Sequence, residues 1–115
     1  MATNKPSNAK GLQPAKIARL AELIQYQDGA VVSRQLISKP SGTVTAFAFD
    51  EDQGLSEHTA PFDALVQVIE GSAEITIAGE RQVVNAGELI LLPAGQPHAV
   101  KAVTRFKMLL TMLRS

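Results

Sequence analysis

The stretch Gly87–His98, Gly-Glu-Leu-Ile-Leu-Leu-Pro-Ala-Gly-Gln-Pro-His, leaves its backbone fewer options than any other part of the chain. Gly87 can supply the positive φ of a tight turn. Glu88–Leu92 is short and apolar and reads as a strand. Pro93-Ala94-Gly95 reverses the chain. Pro97 fixes its own φ near about −65° and holds the residue before it away from the helical region. His98 follows, and Ala99–Val103 can form the next strand. A strand, a rigid corner and an imidazole at the mouth of the next strand aim one side chain.

The same grammar extends back to Ala30. Val31–Ile37 is apolar and β-branched, and Pro40-Ser41-Gly42 is a turn. Thr43–Phe49 alternates and carries two phenylalanines. Asp50–Glu57 is an acidic loop, whose oxygens lack the alternating positions of a calcium loop. Ala64–Ile69 reads as a strand, Gly71-Ser72 as a two-residue hairpin with glycine first, and Ala73–Ala78 as a half-exposed strand. Gly79-Glu80 turns into Gln82–Val84, and Phe106–Leu113 is the last strand. Short strands separated by Gly/Pro turns predict an all-β sandwich or barrel. Ahead of them, residues 1–14 are too polar to offset their ordering entropy and read as a disordered tail. Ile17, Leu20, Ala21 and Ile24 follow at helical spacing, blurred by Leu23 and Tyr26, which predicts a short helix or arm. Residues 15–115 form the single folded domain of this reading.

Composition narrows the function. The 115 residues carry eleven basic and eleven acidic side chains. Without a basic field, nucleic acid is a poor partner. No apolar run approaches the ~18 residues of a spanning helix, and Met1–Lys10 lacks the apolar core of a secretory signal. The absence of cysteine excludes disulfides, thiolate zinc sites and cysteine nucleophiles. The expected setting is cytoplasmic.

The only other histidine lies in Gly54-Leu-Ser-Glu-His58-Thr-Ala60-Pro-Phe-Asp-Ala64-Leu-Val-Gln-Val-Ile-Glu-Gly71. Together with Gly87–His98, this stretch resembles the two motifs of the cupin superfamily. Gly87, Pro93, Gly95 and His98 fall at the spacing of the second motif, with Ala102 where that motif has asparagine. Counted back from Gly71, Ala64 stands at the glutamate of the first motif, Ala60 at its second histidine and His58 at its first; Gly54 falls two residues late. The resemblance spans roughly Leu20 to Leu113 and implies a small cupin-type β-barrel, a double-stranded β-helix or jelly roll. It also implies one divalent metal held by three histidines and a glutamate, two of which are alanine here.

Strand parity gives a view of the interior that is independent of the family. His58, Ala60, Ala64, Val66 and Val68 share one parity, and Glu57, Asp63 and Gln67 the other, so no carboxylate of this strand replaces the missing ligands. In the later strands His98, Val100 and Ala102 face inward together, as do Phe106, Met108, Leu110 and Met112, with Lys107 and Thr111 outward. The expected pocket is two imidazoles among Ala60, Ala64, Val66, Val100 and Ala102, with Phe49, Phe62, Met108 and Met112 nearby. Two imidazoles plus water or substrate suit zinc, nickel, iron or copper, though only weakly. A metal-free apolar pocket is equally compatible. The expected function is therefore small-molecule binding at a pocket centred on His58 and His98. The alternative is a metal-assisted or metal-free enzyme of the oxygenase, isomerase or decarboxylase class. Several strands are apolar on both faces, which predicts a homodimer, with cover supplied partly by residues 15–26.

Overall fold

The structure, a computed structural model, describes residues 11–114. Most of the expected tail, residues 1–10, lies outside the described residues. Leu12 donates its backbone N–H to the Leu36 carbonyl at 3.0 Å. The helical spacing that follows does not become an α-helix. Only Leu20–Glu22 forms a single 3-10 turn, and Ile17 is fully exposed. Leu23, one of the residues that blurred the stripe, explains this, because it is buried together with its neighbour Ile24. Consecutive buried residues suit an extended arm lying on a surface, not one face of a helix.

Nine strands follow among the described residues. The first five are β1 (Val31–Lys39), β2 (Gly42–Phe49), β3 (Gly54–His58), β4 (Asp63–Glu70) and β5 (Ser72–Ile77). The remaining four are β6 (Glu80–Asn85), β7 (Leu89–Leu92), β8 (His98–Ala102) and β9 (Phe106–Leu113). They make two antiparallel sheets, ordered β1-β2-β9-β4-β7 and β3-β8-β5-β6. β9 is central in the larger sheet, where Met108 lies opposite both Phe47 of β2 and Val68 of β4. Between the sheets, Phe49, Val66, Ile75, Leu92, Phe106 and Met108 are completely buried. The Phe49 and Phe106 rings stack with centroids 4.4 Å apart. This core follows from the period-2 alternation of β4 and β9, whose inward residues are those that parity selected. No helix among the described residues is long and apolar enough to cross a membrane.

Two turns differ in kind. Ala78 and Gly79 both have positive φ, 50° and 87°, as a two-residue type I′ connection between β5 and β6 requires. Gly71, expected to close a hairpin, instead passes the chain from one sheet to the other, since β4 and β5 do not pair. Its φ is 78°, and a Cβ there would stand 2.0 Å from the Arg105 carbonyl oxygen.

The arm covers part of the larger sheet's outer face. Leu23 and Ile24 pack with Leu36, Ala46 and Ala48, and with half-buried Tyr26, Val44 and Leu109. Cations fix it in place. Arg34 donates to the Leu23 carbonyl at 2.9 Å, and Lys107 to the Ala21 carbonyl at 2.5 Å. Lys107 points outward as parity demands, yet the arm leaves it only 5% exposed. Its ammonium lies 4.9 Å from the centre of the Tyr26 ring and 3.9 Å from Glu70 Oε2. Tyr26 donates its hydroxyl proton to the same Glu70 oxygen at 2.7 Å. Burial, reinforced by this hydrogen bond, raises the Tyr26 pKa above the ordinary phenol value.

Candidate functional site

His58 closes β3, His98 opens β8, and the two are direct cross-strand partners. Between Leu55 and His58 the strand spends three residues where β8 spends two, from Val100 to His98. This bulge reverses the side-chain parity of β3, so Leu55 and His58, an odd and an even position, line the same cavity. The rigid corner before His98 is held from three directions. Gly95 donates to the Ala60 carbonyl at 2.8 Å, Ala94 to Asp63 Oδ1 at 2.9 Å, and Ala78 to the Pro97 carbonyl at 2.8 Å. Asp63 is thus a loop anchor.

The two imidazoles meet edge to face, with ring centroids 4.3 Å apart at 72°. Their Nε2 atoms are 3.1 Å apart. His58 Nδ1 lies 2.8 Å from the Ser56 carbonyl, and His98 Nδ1 lies 3.2 Å from the Gln96 carbonyl. A carbonyl can only accept, so both Nδ1 atoms donate. In the neutral rings both Nε2 lone pairs therefore converge on one point, which a shared proton or an ion can occupy. His98 is buried, whereas His58 is exposed at the mouth. Burial lowers the pKa of His98, and the charge on His58 lowers it further, against an opposing hydrogen bond to Gln96.

This shift has a testable sign. The fold favours neutral His98, so its contribution to stability is fully present above the ordinary histidine value of about 6.5 and declines below it. The urea midpoint of the wild-type protein is expected to fall between pH 7.5 and 5.5, and that of His98→Asn to fall less. Equal slopes would remove His98 as the cause.

Beneath the pair lies a cavity of about 130 Å³. Ala60, Ala64, Val66, Val100, Met108 and Met112 line it, together with Leu55, Leu92 and Leu110. Three residues placed in the pocket by sequence lie elsewhere. Phe49 is deep in the core, stacked between Phe47 and Phe106. Ala102 is paired with Ala73, also in the packed core. Phe62 lies under the Arg114 guanidinium, 5.2 Å from its ring centre. The reason for Phe62 is local, because the chain bends at Pro61 and Phe62 and strand parity does not run through a bend. Leu110, which parity turned inward though the expected pocket left it out, lines the cavity, and so does Leu92, the cross-strand partner of Ala64. Leu55 is inward only because of the bulge.

Among the described residues no group of three or more His, Asp or Glu side chains could hold a metal. Two imidazole nitrogens 3.1 Å apart do suit one ion at about 2.1 Å from each, which leaves its other positions towards the cavity. The donor pair thus fits an ion, and the set is incomplete and neutral.

The sequence profile of the cupin domain family matches residues 46–113. A conserved protein of unknown function from Streptococcus pyogenes is 35% identical, with a TM-score of 0.87 over 92% of this chain and 93% of that one. A cupin superfamily protein from Desulfitobacterium hafniense is 27% identical, with a TM-score of 0.86 over 92% and 97% of the two chains. A cupin 2 conserved barrel domain protein from Leptotrichia buccalis is 40% identical with a TM-score of 0.79, and the match covers 82% of this chain but 46% of that one. No curated protein matches the sequence. The barrel and its matching profile place this chain in the cupin family.

Proposed function

We propose that this cupin binds a small, largely apolar molecule in the cavity below His58 and His98. A transition-metal ion held loosely by the two Nε2 atoms forms the polar end of the site. The observation that carries this reading is the convergence of two Nε2 lone pairs, 3.1 Å apart, above an apolar cavity. Its volume is close to the ~150 Å³ of an apolar cavity that admits benzene. Elemental analysis of untagged protein is expected to find substoichiometric metal. Equilibrium dialysis against zinc, nickel and copper should restore one ion per chain, and His98→Ala should take up none. Uptake unchanged by His98→Ala would end the reading.

The same reading takes the protein as a cytoplasmic homodimer. Leu89, Leu91 and Leu113 remain exposed on the larger sheet, as do Ile17 and Leu20 of the arm. A second copy would cover such a surface. Sedimentation at micromolar concentration should give twice the chain mass; a monomer would refute it.

A further inference from the structure

The ion at the histidine pair need not be divalent, and the cavity argues against it. Both imidazoles are neutral donors, and the other lining residues named above are alanine, valine, leucine and methionine. With no carboxylate in the lining, charge on the ion is uncompensated. The Born cost of burying charge grows with its square, so a dication is penalised about fourfold more than a monocation. An N···N separation of 3.1 Å also means a cis arrangement at the ion, with an angle of about 95° for bonds of about 2.1 Å. It leaves coordination positions open on the cavity side. Among the described residues, the only side-chain donors there besides the histidines are two thioethers, Met108 and Met112.

They are not equivalent. Met112 lies opposite Ala64, and Ala64 lies opposite Leu92, the residue before the Pro93–Pro97 corner that delivers His98. Met108 lies opposite Val68, whose backbone pairs with Gly87 and Glu88 at the other end of that strand. The two Cα atoms are four strand residues apart, roughly 13 Å. Met112 therefore stands at the end of the cavity nearer the corner that delivers His98, and Met108 at the other end. Opposite Met112, the short side chain of Ala64 leaves its thioether room to swing. Thioether sulfur selects copper(I), which also takes imidazole.

We propose that His58, His98 and the Met112 thioether form a copper(I) site. This rests on the histidine pair being the ion-binding centre, and the experiment separates the two claims. Untagged apo-protein is titrated anaerobically with copper(I) against bicinchoninate, with zinc(II) competition in parallel. The wild-type protein is expected to take one copper(I) and to keep it against equimolar zinc. Met112→Leu, which conserves volume, should weaken copper(I) at least tenfold and leave any zinc binding unchanged; Met108→Leu should match wild type. X-ray absorption of the copper-loaded wild-type protein should show one sulfur neighbour. Displacement of copper(I) by zinc, a Met112→Leu protein equal to wild type, or a copper shell without sulfur would each overturn the proposal. Undiminished copper binding by His98→Ala would overturn the histidine centre itself.

Discussion

Gly71→Ala is expected to lower the stability of the barrel by about 3–5 kcal/mol, a large share of what a domain this size possesses. Two costs coincide there. The backbone sits at φ 78°, where an L side chain is strained by about 1–2 kcal/mol. The new Cβ would also stand 2.0 Å from the Arg105 carbonyl oxygen and 2.8 Å from the Phe106 Cα. These are backbone atoms of the segment leading into the central strand, so no flexible side chain can yield. Gly79 is the control: its φ is 87°, but nothing lies within 4 Å of where a Cβ would be. Gly79→Ala should cost only the strain. Urea denaturation of both variants checks this, and equal midpoints would show that the sheet-crossing corner relaxes.

Lys107→Ala is expected to cost about 2–3 kcal/mol and to release the arm rather than loosen the barrel. Lys107 is 5% exposed and satisfies the Ala21 carbonyl in the middle of the 3-10 turn. It also lies 3.9 Å from Glu70, which accepts the Tyr26 hydroxyl. Without it the Ala21 carbonyl loses its donor, and the Tyr26–Glu70 contact loses one of its cations. Amide exchange should accelerate at Leu23–Tyr26 and stay slow at Val66 and Ile75, with faster tryptic cleavage after Arg19. Uniform acceleration through the core would mean that the arm is not a separate unit.

Much of the barrel was legible because glycine and proline mark its corners and strand alternation marks its faces. Gly87, Pro93, Gly95 and Pro97 delimit β7 and the corner as read, and parity turned inward both histidines with seven of the lining residues. What escaped was non-local. The β3 bulge depends on how β8 pairs with it, so Leu55 could not be assigned from its own strand. Gly71-Ser72 has hairpin composition, yet the next strand finds its partners in the other sheet. Phe49 and Ala102 have the inward parity, but depth along the strand sends them into packed core instead of cavity. The buried lysine was invisible because its cover comes from the arm, far away in sequence.

The position of β9 bears on how the chain folds as it is made. The last strand lies between β2 and β4, and Phe106 pairs with Phe49 across it. Until residues 106–113 have left the ribosome, the larger sheet has no middle, and β1-β2 cannot join β4-β7. The smaller sheet needs only residues 54–102, but its apolar face then has half a partner. The larger sheet is therefore expected to assemble only after Phe106–Leu113 has been made. A ribosome-stalled chain ending before Phe106 should stay protease-sensitive throughout, and resistance appearing earlier would show that the smaller sheet closes alone.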